Sequence, residues 1–218
     1  MPDDLRAIDQ ADLSSCPART DLPGFDNPVM AAQEVFMATL RAFAEPGTVQ
    51  NLRNLPKAPS PLSPAANGIL LSLADPETPL WLDPSAEPLA AAGHLRFHTG
   101  APLVMDRSKA TFAWTSGDLL AGDAETALGG FNLGRDDYPD QAATLIVEVD
   151  ELAQDGPVRL AGPGIKGHRA VSLAAPFITP AFWEARALIS GLFPRGLDLL
   201  FVQGSRLVGL PRTTVVEV

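Results

Sequence analysis

"ATLIVEV", residues 143–149, is the stretch on which the fold turns. It is almost continuously apolar and rich in β-branched side chains, the pattern of a strand buried on both faces. Such a strand belongs at the centre of a sheet. Upstream, "TFAWT" and "HLRFH" alternate apolar and polar residues in the manner of half-buried strands, and "PETPLWL" and "TVQNL" read as shorter ones. Downstream, "GPVRLAGPGI" and "HRAVSL" read as strands around a glycine loop. "DLLFV" and "LVGLP" form a hairpin pattern with Gly204 and Ser205 between them.

Helical signals lie on either side of this β-rich middle. In "FDNPVMAAQEVFMATLRAFAEPGTV", Asp26 or Asn27 caps and Pro28 opens a helix. Val29, Ala32, Phe36, Leu40 and Phe43 recur there at helical spacing. Pro64 opens a second helix through "AANGILLSLAD", after a proline-rich connector over residues 54–64. "TPAFWEARALISGLF" is the last long helix, with Phe182, Trp183, Ala187, Leu188 and Leu192 on one broad face. The expected organisation is a loosely held arm over residues 1–24 and one α/β domain over 25–218, a mixed-sheet α/β/α sandwich.

With 218 residues and 46% hydrophobic content, the chain can bury a substantial core. The formal charge of −10 repels a nucleic-acid backbone on average, so no nucleic-acid partner is expected. That charge is uneven. Residues 1–155 carry 9 Lys and Arg against 23 Asp and Glu, whereas residues 156–218 carry 7 against 3. The single cysteine, Cys16, permits no internal disulfide and cannot hold an iron–sulfur cluster, so a reducing compartment fits. The acidic N-terminus is no signal peptide, and no apolar run is long enough for a membrane span. A cytoplasmic location follows as an expectation.

The motifs that could carry chemistry are few. "GPGIKG" has the letters of a dinucleotide fingerprint, but a proline interrupts it and a strand follows, which favours a tight loop. On a strand, His94 and His98 would stand about 13 Å apart, too far to share one metal. There is no G-x-S-x-G elbow, and Lys57, Lys109 and Lys166 sit in no cofactor motif. The charged "GRDDYPD" segment, residues 134–140, reads as a solvated turn. No catalytic residue, metal ligand or cofactor is therefore expected.

What stands out is cationic. Arg195, Arg206 and Arg212 fall within "SGLFPRGLDLLFVQGSRLVGLPRTT", residues 190–214, and Lys166 and Arg169 make the glycine loop basic. Guanidinium groups pair with phosphates and are enriched in interfaces, so Arg212, Arg195, Lys166 and Arg169 are the candidates for an anion or interface site. Arg195, just past a helix, suits the negative end of that helix. Arg206 reads as solvated. Arg212 reads as exposed, so its removal should cost no more than roughly 0.5 kcal/mol.

Taken in order, "GFDNPVMAAQEVFMATLRAFAEPGTV", "LADPETPLWL", "HTGAPLV", "YPDQAATLIVEVDEL", "LAGPGI" and "FPRGLDLLFV…LVGLPRTT" resemble the PhnH family, a subunit of the bacterial carbon–phosphorus lyase system. The resemblance spans residues 24–214. It implies a fold similar to the pyridoxal-phosphate-dependent transferases, without the cofactor or its lysine. It further implies a homodimer that joins the other core subunits in attaching a phosphonate to the ribose of ATP. The family supplies no catalytic residues to carry across. The resulting expectation is an accessory, non-catalytic subunit of the complex required for phosphonate use. The alternative is a subunit that lends an anion site for a triphosphate-bearing substrate to a shared active site.

Overall fold

The computed structural model describes residues 22–217. Cys16 and residues 1–21 of the expected arm lie outside that range. Helix α1 (Pro28–Ala44) starts where the sequence places it: the Asn27 side chain accepts from the Met30 amide, and Pro28 occupies the first turn. Helix α2 (Pro64–Leu73) repeats the device with Ser63 as cap. Helix α3 (Leu89–Thr99) ends at Gly100 in the left-handed conformation. Two more helices follow, α4 (Ala124–Gly129) and α5 (Pro180–Ser190), each capped by a side chain, Asp123 and Thr179.

The main sheet has six strands: β1 (Gln50–Asn51), β2 (Leu80–Leu82), β3 (Phe112–Thr115), β4 (Thr144–Glu148), β7 (Asp198–Gln203) and β8 (Arg206–Leu210). Their order is β1-β8-β7-β4-β3-β2. Strands β2, β3, β4 and β7 run parallel, with β8 antiparallel to β7 and β1 antiparallel to β8. Strand β4 is interior, paired on both sides, and its Leu145, Ile146 and Val147 are wholly buried. A second, three-stranded antiparallel sheet was not foreseen. It runs β6 (Arg169–Ala174), β5 (Glu151–Ala161), β9 (Val215–Glu217).

Strand alternation separates two cores. Leu145, Val147, Leu199 and Phe201 point to one side, where α4, α5 and the small sheet cover them. Ile146, Leu200 and Val202 point to the other, against α1, α2 and α3. The result is a layered α/β fold with helices on both faces of a mixed sheet.

Three sequence expectations are corrected. "HLRFH" is not a strand; it lies inside α3, joined to the alanine-rich segment before it. Five alternating residues are too short a pattern to outweigh the helix propensity of the preceding alanines. His94 and His98 consequently stack one turn apart, with ring centroids 4.5 Å from each other. The broad face assigned to the last helix is also rotated: Phe182, Trp183, Ala185, Arg186 and Ile189 are buried, whereas Ala187, Leu188 and Leu192 are exposed.

The third correction concerns α1. Its buried face is made of Ala31, Val35, Thr39 and Ala42, while Val29, Phe36 and Leu40 are exposed. Close approach is the reason. A Cβ placed on Gly209 of β8 would lie 2.5 Å from the Ala42 carbonyl oxygen, so helix and strand touch backbone to backbone. Only small side chains fit between them.

Candidate functional site

The basic C-terminal third folds around a cleft of about 450 Å³ between α5 and the segment leading into β9. Trp183, Ala187 and Phe193 supply apolar walls, and Arg186, Arg212 and Thr214 supply the polar part. Arg212 is held firmly. Its Nε and Nη2 pair with both oxygens of Asp198, the closest contact being 2.6 Å. Its Nη1 donates to the Pro139 carbonyl at 2.9 Å and to Pro194 at 3.2 Å. The side chain is 14% exposed, so the expectation of an exposed Arg212 is corrected. The turn after β8 brings it back over the start of β7, where Asp198 stands, a return that the sequence does not announce.

The other candidates are dispersed. Arg195 meets Asp136 at 3.3 Å on the surface, in the solvated turn that the sequence marks. Arg169 donates to the Pro46 carbonyl at 2.7 Å, and Lys166 is exposed on the loop between β5 and β6. Gly162, Gly164 and Gly167 of that loop all have positive φ, as a tight turn requires. Neither Lys166 nor Arg169 lines the cleft. Arg206 is partly buried rather than solvated, and donates to the Gln203 side chain across the hairpin.

Sequence reasoning missed Arg186. It is 4% exposed and donates to the backbone carbonyls of Thr214 and Pro211. Burial lowers its pKa to about 10, and the nearby Asp198 charge opposes that shift, so it is cationic at neutral pH. A signal existed: residues 182, 186 and 189 follow helical spacing, so a charge interrupts an otherwise apolar stripe.

Two carboxylates hold strand ends. Asp83 accepts from Thr115 Oγ at 2.5 Å and from the Ser85 hydroxyl and amide. Glu148 accepts from the Ser63 amide at 2.8 Å and from Trp114 Nε1 at 3.1 Å, and burial raises its pKa. Among the described residues no group of three or more His, Cys, Asp or Glu could hold a metal ion. No helix among them is long and apolar enough to cross a membrane.

A further exposed feature among the described residues is apolar. Val29, Met30, Phe36, Met37 and Leu40 stand exposed along one side of α1. Isolated exposed apolar residues are ordinary, but a run of five on a helix marks a contact surface.

Comparison with known proteins gives concordant results. A family described as bacterial phosphonate metabolism protein (PhnH) matches residues 23–217. A Rhizobium meliloti protein, the PhnH subunit of alpha-D-ribose 1-methylphosphonate 5-triphosphate synthase, is 35% identical over 193 residues, 88% of this chain and 94% of that protein. HtxG of Stutzerimonas stutzeri, which carries the name of a C-P lyase subunit, is 34% identical over 85 residues, 39% of this chain and 43% of that protein.

Proposed function

We propose a function from the premise that this chain belongs to the PhnH family of bacterial phosphonate metabolism proteins. It is an accessory subunit of the carbon–phosphorus lyase complex, contributing to formation of ribose 1-phosphonate 5-triphosphate through assembly rather than through chemistry of its own. The observation that carries this reading is the exposed apolar side of α1, with Met30, Phe36, Met37 and Leu40 more than two-fifths exposed. Apolar area of this kind supplies affinity, while the acidic front and basic rear of the chain select partners and orientation. The α1 face docks another subunit of the complex. Of the three aromatics at the last helix, Phe193 is the exposed one, because Phe182 and Trp183 are in the core.

The same reading includes a homodimer, a cytoplasmic location and a single domain over residues 25–218. It also includes a fold related to the pyridoxal-phosphate-dependent transferases without the cofactor. The parallel run β2-β3-β4-β7 with helices on both faces supports that kinship. Sedimentation of the isolated chain tests the homodimer.

Co-expression with the other subunits of its own phosphonate operon tests the assignment. The wild-type chain should co-purify with them, and the double substitution Phe36→Glu with Leu40→Glu should run alone while keeping its circular dichroism. Deleting the gene should abolish growth on methylphosphonate as the only phosphorus source and leave growth on phosphate intact. Continued growth of the deletion strain on methylphosphonate would end the proposal.

A further inference from the structure

We propose that the cleft between α5 and the Arg212–Val216 segment binds a small organic anion, with one acidic head group and an apolar body. This site is separate from the α1 face and does not depend on the docking role assigned to it.

Charge balance is the first argument. Two guanidinium groups, Arg186 and Arg212, line the cleft, and no acidic side chain does. The nearby carboxylate, Asp198, has both oxygens occupied by Arg212. Arg186 is therefore a buried cation held by two neutral carbonyls and without a carboxylate of its own. Asp198 is close enough to favour that charge but is bonded to Arg212, so two cations share one carboxylate, and an anion in the adjacent cleft offsets the second.

Unmet hydrogen bonding is the second. Arg186 Nε and Thr214 Oγ are both buried and both lack a partner, and both residues line this cleft. Buried polar groups in folded proteins nearly always have partners, so two orphans in residues that line one cleft point to a missing group. An acidic head supplies acceptors for both, since the guanidinium and the hydroxyl can each donate.

The walls define the rest of the ligand. Trp183, Ala187 and Phe193 offer apolar and aromatic surface, and the volume of about 450 Å³ falls in the range of small-molecule sites. A triphosphate fits poorly, because it calls for several free cations. Arg212 is committed to Asp198, Arg195 faces Asp136 outside the cleft, and Lys166 and Arg169 are elsewhere. One head group on an alkyl or aryl body matches what the cleft offers.

Calorimetric titration of the isolated protein with four probes tests this. Benzoate and phenylphosphonate carry head and body, benzyl alcohol the body alone, and inorganic phosphate the head alone. At least one of the first two should bind saturably, about tenfold or more tighter than both controls. Whichever acid binds tighter identifies the head group. Ala187 is exposed on α5, so Ala187→Phe fills the cleft without disturbing the core. It should reduce affinity by about tenfold or more at unchanged melting temperature. Arg186→Met should abolish the preference for acids over benzyl alcohol, and where that variant does not fold, Ala187→Phe decides. Equal binding of benzyl alcohol and benzoate, no saturation by either acid at millimolar concentration, or full affinity in Ala187→Phe overturns the proposal.

Discussion

Replacing Arg212 with alanine tests the role that the structure gives this residue. The side chain is 14% exposed and its partner Asp198 23%, so the pair stands between two limits. Exposed ion pairs contribute at most about 1 kcal/mol, whereas breaking a fully buried one costs about 3–5 kcal/mol. Asp198 would keep the Arg212 amide at 2.7 Å but lose the guanidinium, and the carbonyls of Pro139 and Pro194 would lose a donor. Partial access to water tempers these losses. The expected cost is about 2–3 kcal/mol. For a chain of this size that lowers the melting temperature by roughly 4–12 °C. Urea denaturation followed by circular dichroism measures it. Adding Asp198→Asn should return part of the loss, because the carboxylate left without its cation is then removed, and the two substitutions should be markedly non-additive. A cost within about 0.5 kcal/mol, the range of exposed sites, would refute the clamp.

Stability should also fall on acidification through His94. Its burial first, and the neighbouring His98 second, lower its pKa to about 4. The unfolded chain takes that proton near pH 6.5 and the folded chain resists it. Stability is thus lost between pH 6.5 and 4, by up to about 3 kcal/mol, and His94→Gln should flatten that slope in denaturant titrations at each pH. Glu148 works in the opposite sense. Burial raises its pKa, so the folded state gains as pH falls through that value, and Glu148→Gln should steepen the acid loss. Gly209→Ala places a Cβ 2.5 Å from the Ala42 carbonyl oxygen and should cost about 1–3 kcal/mol by chemical denaturation.

The parts of the fold legible in sequence were those written in local chemistry. "ATLIVEV" is interior because a strand covered on both faces must be apolar along its middle, and Leu145, Ile146 and Val147 of β4 are so. Asn27 caps α1 because its side chain satisfies an amide three residues on, and Pro28 and Pro64 open helices in the first turn, where no amide is needed. The Gly204–Ser205 hairpin is equally local, with Gln203 paired to Arg206. The candidate site was less legible, since its geometry is set at long range. Arg212 meets Asp198, 14 residues earlier, and Pro139, 73 residues earlier. Neither spacing leaves a trace in a window of sequence. Arg186 was visible only as a fault in an apolar stripe, and the ordinary reading of such a fault is a solvated edge.

Helix α1 shows why periodicity identifies a helix without identifying its inside. Two apolar arcs run along it, a small one of Ala31, Val35 and Ala42 and a large one of Val29, Phe36, Met37 and Leu40. By hydrophobic content alone the large arc should be buried, since each such side chain gains roughly 1.5–3 kcal/mol on leaving water. The sheet selects the small arc because Gly209 brings β8 against the Ala42 backbone, and a phenylalanine there would hold the layers apart. Among the described residues the large arc stays exposed, and that exposure needs a reason. A helix serving only its own fold would carry polar residues on that side. Here the second arc has the composition of a core without the rest of the core. The proposed docking role accounts for this, with a partner subunit supplying the missing half. On this argument the α1 face should tolerate Phe36→Leu or Leu40→Met in the assembled complex and reject a charge at either position, whereas the stability of the isolated monomer should scarcely distinguish them.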